Sequence, residues 1–330
     1  MQSNAMKRAF LFAAMLWISA PAASADPLWQ DDLNWLKTMV FAAHQTDYSG
    51  IFLYQYGNHI ETSHITHIID SDGEHERLQG LDGARREIIR NNDQVWRYLG
   101  DSKVRVEERQ GGWRFPGILP EQLELLNENY QIRQTEEKRI AGYHAHAVIF
   151  KPRDDLRYTH RLWAHSDSGL LLKAEVLDEQ GRVVEQSIFI QLTIGGNIDR
   201  SWIEASKPDP AMPAHKAHRD HLQKTESLIN ASGWQVDMLP PGFKKITEIR
   251  RQLHGKPVPV IQMVFSDGLA SISVFIETIY GELNDHPGLS SQGAIQVYSK
   301  VSGEHLLTVV GEVPPRTVMQ VADSVHYSRK

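Results

Sequence analysis

The chain has 330 residues, a formal net charge of −6, 41% hydrophobic residues and no cysteine. Its length exceeds what one core usually fills and predicts two domains. The negative charge argues against a nucleic-acid partner, and the missing cysteines exclude disulfides, thiol chemistry and a lipidated cysteine anchor.

Lys7 and Arg8 precede an apolar run from Ala9 to Ala20 and the small residues Ala23, Ser24 and Ala25. This is the pattern of a secretory signal, here with cleavage after Ala25, and the run is short of the roughly 20 apolar residues of a membrane span. Ser3, Asn4 and Ala5, ahead of a second methionine, are set aside as a vector remnant. The expected product is a soluble periplasmic protein whose charge, with 33 basic against 41 acidic residues, is −8.

Asp26 and Pro27 open an amphipathic helix with Trp29, Leu33, Leu36, Met39, Val40 and Ala43 on one stripe. The period then becomes two, predicting strands over Tyr48 to Tyr56, Glu61 to Asp70, Glu74 to Leu78, Arg85 to Asn91, Gln94 to Gly100 and Lys103 to Glu108. Pro120 starts a predicted helix carrying Leu123, Leu126 and Tyr130. A meander follows over Ile140 to Lys151, Arg157 to His165, Leu170 to Leu177 and Arg182 to Ile194, with short polar turns between the strands. About ten strands and two or three helices before residue 205 fit an α+β first domain, an unclosed antiparallel barrel wrapped around helices. Pro208, Pro210 and Pro213 mark a linker over 206–216, so the first domain is placed at 26–205 and the second at 217–330. The second is predicted as a small α+β domain. It has a helix over Ala217 to Asn230 and strands around Trp234 to Met238, Lys244 to Leu253, Val258 to Ser266, Ala270 to Tyr280, Ala294 to Val301 and His305 to Gly311. A helix from Pro315 to Val325 closes it.

Chemistry is sparse. His215, His218 and His221 are spaced three apart, but no Asp or Glu sits at a convincing position beside them to complete a metal set, and a solvated helix start explains them better. There is no Gly-x-Ser-x-Gly elbow and no phosphate loop, and pairs such as Glu107 with Glu108 or Glu136 with Glu137 lie in surface-like stretches. No enzyme, metal or cofactor is expected. Arg85 and Arg86 form a basic pair suited to a headgroup or an acidic peptide, against the plainer reading of a surface pair. Leu53, Tyr54, Tyr56, Trp96, Tyr98, Phe150, Trp163 and Phe189 supply apolar bulk either for a hydrophobic ligand cavity or for an ordinary core.

Several short motifs recur together in one known family. They are Tyr48-Ser49-Gly50, Asp82 to Glu87, Leu239-Pro240-Pro241-Gly242-Phe243, Phe265-Ser266-Asp267-Gly268-Leu269 and Val310 to Pro315. With these in order, the chain resembles the RseB/MucB family of periplasmic sigma-E regulators; Ala270 departs from the aromatic that relatives often carry there. The resemblance implies a first domain like the lipoprotein carriers LolA and LolB. It also implies binding to the periplasmic segment of a membrane-spanning anti-sigma factor, protection of that segment from proteolysis, and release by a lipid or lipopolysaccharide-type ligand. Arg85, Arg86, Phe265, Asp267, Gly268 and Leu269 are the expected partner or headgroup contacts. A periplasmic lipid or lipoprotein carrier is the alternative function, and self-association is left open.

Overall fold

The computed structural model describes residues 27–92, 94–99, 102–106, 115–120, 123, 126–206, 226–228, 232–252, 258–280 and 287–328. The expected signal sequence and most of the expected linker lie outside them, as do His215, His218 and His221.

Helix α1 (Pro27–Gln45) is followed by β1 (Tyr48–Tyr56), β2 (His59–Asp70), β3 (Gly73–Gly80), β4 (Arg86–Asn91), β5 (Gln94–Leu99) and β6 (Ser102–Val106). A single helical turn, α2 (Leu126–Asn129), leads into β7 (Tyr130–Ile140), β8 (Tyr143–Pro152), β9 (Thr159–His165), β10 (Leu171–Leu177) and β11 (Val183–Ile194), and α3 (Ser201–Ser206) ends this part. All eleven strands form one antiparallel sheet in the order β6-β5-β4-β3-β2-β1-β11-β10-β9-β8-β7, with β6 and β7 as free edges, so the barrel is not closed. It is strongly curved. Tyr143 Oη, at the start of β8, donates to Leu192 O of β11 at 3.3 Å, although two strands lie between them and a flat sheet would hold them about 14 Å apart.

The hollow of the sheet is filled. Leu36, Met39, Val40 and Ala42 of α1 pack with Phe52, Phe115, Leu123, Leu126, Leu162 and Phe189 in one core, while Phe41 on the other helix face is 55% exposed. Only Leu126 to Asn129 of the helix expected after Pro120 is an α-helix among the described residues, and Tyr130 already belongs to β7, where Tyr130 and Ile132 are buried around exposed Gln131. The expected strand from Ile140 is cut by Ala141 (φ 49°) and Gly142 (φ 89°), two left-handed residues that make a tight β7–β8 hairpin.

Gly50 explains one motif. A methyl group there would sit 2.5 Å from Gln191 O and 3.0 Å from Phe189 Cδ1, beside the bulge where Ile51 pairs with Gln191 and Phe52 with Phe189. Gly50→Ala is expected to cost about 1–3 kcal/mol. Urea denaturation checks this, and unchanged stability would mean that β1 and β11 part easily.

The second unit contains β12 (Glu226–Leu228), β13 (Trp234–Val236), β14 (Lys244–Arg251), β15 (Val260–Ser266), β16 (Ser271–Thr278), β17 (Gly288–Gln292), β18 (Ile295–Ser302), β19 (His305–Gly311), α4 (Pro315–Ser324) and β20 (Val325–Tyr327). Seven strands run in the order β12-β14-β15-β16-β19-β18-β17, and β13 pairs with β20. Ile272, Val274 and Ile276 of β16 face inward between Ser271, Ser273 and Phe275, and α4 covers this face with Thr317, Val318, Val321 and Ala322. Pro315 at the first turn suits a helix start. The helix expected over Ala217 to Asn230 is corrected at Glu226 to Leu228, which pair with Ile249 to Arg251 as an edge strand; the rest lies outside the described residues.

Candidate functional site

The turn after β15 builds itself and then reaches outward. Ser266 Oγ donates to Ala270 O at 2.8 Å and accepts from the Gly268 amide at 2.9 Å, while Asp267 Oδ1 accepts from the amides of Leu269 (3.0 Å) and Ala270 (2.8 Å). Gly268 takes φ +98°, a conformation open to glycine, and a methyl group there would press on Pro120 at 3.3 Å. The second carboxylate oxygen, Asp267 Oδ2, accepts from Arg157 Nε at 2.7 Å and from Tyr130 Oη at 2.9 Å, both in the first unit. Arg157 also donates to Asp154 and to Pro241 O, and its guanidinium lies 5.3 Å from the Phe243 ring centre and 5.6 Å from that of Tyr130.

The side chains of Asp267 and Arg157 are both fully buried. Burial, reinforced by the Asp267 charge, drives the Tyr130 hydroxyl well above its ordinary range, so it stays a donor. Leu269 enters the first unit's core alongside Leu123 and Leu126. The Leu239–Phe243 and Phe265–Leu269 motifs therefore meet on one arginine and one tyrosine, and together they lock the two units.

A second set of contacts flanks the lock. Gln292 Nε2 donates to Tyr56 Oη at 2.9 Å, the Ala294 amide to Glu185 Oε2 at 3.0 Å, and Gln296 Nε2 to Tyr158 Oη at 3.2 Å. Arg316 pairs with Asp155 at 2.5 Å and with Glu179, and Thr317 Oγ1 donates to Leu156 O at 2.9 Å. Tyr54 and Tyr56 stand here with ring centres 5.6 Å apart; burial, then the charge of Glu185, raises the Tyr54 hydroxyl.

The expected site residues divide into separate places. Phe265, Asp267, Gly268 and Leu269 are at or beside the lock, where Asp267 and Leu269 are buried between the units and Phe265 in the second unit's own core, none of these three being presented to an outside partner. Arg85 and Arg86 lie at the β3–β4 connection, toward the opposite end of the sheet from β7, with Arg85 3.6 Å from Glu87 and Arg86 3.1 Å from Glu61. Phe150, Trp163 and Phe189 are at most 1% exposed, which leaves no room for water beside them, so they are packed core. Leu53, Tyr54, Tyr56, Trp96 and Tyr98 are partly buried. Tyr98 packs on the small cluster of Ile68, Ile89, Ile198, Trp202 and Ile203. Arg157, Tyr130 and Arg316 were missed; the one signal for Arg157 is an arginine two residues beyond the Pro152 to Asp155 turn and its two aspartates.

A buried polar knot holds the end of α1. His67, 0% exposed and stacked on Tyr48 at 4.9 Å, bonds Thr46 O through Nδ1 (2.8 Å) and Glu74 through Nε2 (3.0 Å), while His44 Nδ1 reaches the same carboxylate at 3.1 Å. Burial pushes the Glu74 carboxyl up, but the hydrogen bonds from His44 and His67 outweigh it and bring it from 4.5 to about 2. A depressed carboxyl stabilises above its unfolded value and loses that contribution as pH falls through its folded one. The stability gap between wild type and Glu74→Gln is therefore expected to be full between pH 4.5 and 6.5 and to close as pH falls toward about 2. The hydrogen bond to Glu74 raises His44, whose share is full below 6.5 and fades as pH rises through its higher folded value. Urea titrations across both windows check this; a gap independent of pH would overturn it.

Comparisons with known proteins cover both units. The family model described as the MucB/RseB N-terminal domain matches residues 31–207, and that for the MucB/RseB C-terminal domain matches 229–326. The chain is 32% identical over 313 residues, 93% of each chain, to the sigma factor AlgU regulatory protein MucB of Pseudomonas aeruginosa. It is 25% identical over 323 residues, 96% of each chain, to the sigma-E factor regulatory protein RseB of Salmonella typhimurium. Among solved structures, the Pseudomonas aeruginosa MucA/MucB complex matches with TM-score 0.71 and 28% identity, covering 91% of this chain and 100% of that one. MucB in complex with MucA(peri) matches at 0.69 with 28% identity and the same coverage. MucB alone matches at 0.62 with 27% identity, covering 91% and 98%.

Proposed function

Because this chain belongs to the MucB/RseB family, we propose that it is a non-enzymatic periplasmic regulator that binds the outer segment of a MucA-like, membrane-spanning anti-sigma factor and shields it from proteolysis. The observation that carries the reading is likeness over both units at once, including solved complexes of a relative with MucA. The greater likeness to those complexes than to MucB alone supports taking the locked arrangement of the two units as the partner-holding one. No helix among the described residues is long and apolar enough to cross a membrane.

A lipid or lipopolysaccharide-type ligand releases the partner in this proposal. The ligand must then bind the free and partner-bound conformations unequally, with a coupling of about 1–3 kcal/mol. Since Phe150, Trp163 and Phe189 are packed, an acyl chain reaching them has to displace α1 or part the units, and the lock at Asp267 is the element it would bias. Arg85, with its side chain 72% exposed, is the headgroup contact in this scheme.

The test is binding of the purified chain to the periplasmic segment of the anti-sigma factor from the same genome, with and without lipopolysaccharide fragments, followed by protease digestion of that segment. Tight binding, slower cleavage and weakening by the fragments are expected. Absence of binding in both conditions sinks the proposal, and transfer of lipid between vesicles without such binding would put a lipid carrier in its place.

A further inference from the structure

A cavity of about 210 Å³ opens at the end of the second sheet, lined by Trp234, Arg250, Val258, Pro259, Ile261, Ile276, Thr278, Tyr280 and His305. Its floor follows from register: Arg250 pairs with Ile261 and Ile261 with Ile276, so these side chains share one face, and Thr278 faces His305 across β16 and β19. This is the apolar face that α4 covers further along, left open here. The wall is aromatic. Trp234 meets the His305 ring edge-on at 4.9 Å and Tyr327 at 5.5 Å, and Tyr280 is 62% exposed.

Among the described residues the lining contains no carboxylate and is rich in donors. Among the described residues, the Arg250 guanidinium, the His305 imidazole and the Trp234 indole N–H have no acceptor. Elsewhere arginines are mostly matched: Arg77 with Glu87, Arg161 with Glu175 and Arg316 with Asp155. An unpaired cation beside an apolar hollow, on a protein of negative net charge, is complementary to an apolar group that carries its own carboxylate. The volume is below the roughly 300 Å³ at which pockets for whole small molecules begin and suits one side chain, not an acyl chain.

We infer that this cavity is an anchor pocket for an acidic polypeptide, taking one bulky apolar side chain whose neighbouring carboxylate pairs with Arg250. Resting on the reading above for the polypeptide's identity, that segment belongs to the anti-sigma factor.

The pocket is tested apart from that reading, on the full chain with nitrogen-15-labelled tryptophan, the Trp234 indole resonance being assigned by Trp234→Phe. The probes are N-acetyl-Leu-Phe-Asp-amide, N-acetyl-Ala-Leu-Phe with a free terminal carboxylate, N-acetyl-Leu-Phe-Asn-amide, and octanoate. Both carboxylate peptides are expected to move the Trp234 resonance, and whichever binds more tightly tells an internal acidic residue from a chain end. Arg250→Glu, an exposed change, should weaken them about tenfold, as should the asparagine peptide. Thr278→Trp should fill the pocket and abolish the response. No movement with either carboxylate peptide, equal binding of the asparagine peptide, or a stronger response to octanoate overturns the inference. A chain that takes the peptides yet ignores the anti-sigma segment keeps the pocket and loses only the reading above.

Discussion

Asp267→Ala is expected to lower stability by about 3–5 kcal/mol, because it takes one of two carboxylates from a buried guanidinium and the acceptor from Tyr130 and two turn amides. The Arg157 side chain is fully buried and would keep only Asp154, Pro241 O and two ring faces, while the Leu269 and Ala270 amides lose their acceptor. The charge, not the contact area, carries the effect. Replacing both partners, Asp267→Leu with Arg157→Met, should therefore cost less than Asp267→Ala alone. Urea denaturation followed by tryptophan fluorescence gives the energies, and small-angle scattering shows whether the units part. A loss below about 1 kcal/mol, the worth of an ordinary hydrogen bond, would mean that the lock is held by Leu269 and the flanking contacts.

Trp163→Ala should cost about 3–5 kcal/mol, the range for deleting a large aromatic from a packed core. Trp163 is 1% exposed on β9, opposite Ala147 of β8 and Lys173 of β10, with the Lys138 ammonium 4.7 Å from its ring centre. Its indole N–H is buried without an acceptor among the described residues, so Trp163→Phe gives up volume without orphaning a polar group and should cost much less than alanine. Thermal and urea unfolding of the two variants separate core from cavity wall. If alanine were tolerated at a cost below about 1 kcal/mol, the residue would border an existing space.

Where one face of a strand is buried, the sequence carries the answer. Ile272, Val274 and Ile276 alternate with polar or less buried neighbours and β16 is plain to see; Pro315 and the stripe after it announce α4. The strand β7 leaves no such trace, because seven consecutive residues from Arg133 to Arg139 are exposed and obey no period. Gly288 to Gln292 is hidden for the same reason, exposed on both faces of an edge strand. The Asp267 turn could be read as a turn from Asp-Gly, yet nothing local says that it docks. Its partner Arg157 is 110 residues away in sequence, and such pairing is decided by how two finished surfaces meet.

The open form of the first sheet leaves β7, among the described residues, as an edge with a row of unpaired backbone groups, the kind of template on which fibrils grow. Here that rim carries Arg133, Glu136, Glu137, Lys138 and Arg139, all exposed, and its pairing slips out of step between Gln134 and Glu137. A second copy stacking on it would have to strip water from charges of both signs and fit an uneven strand. The same residues that blur the sequence pattern thus form a charged, uneven fringe of the kind that disfavours edge-to-edge pairing.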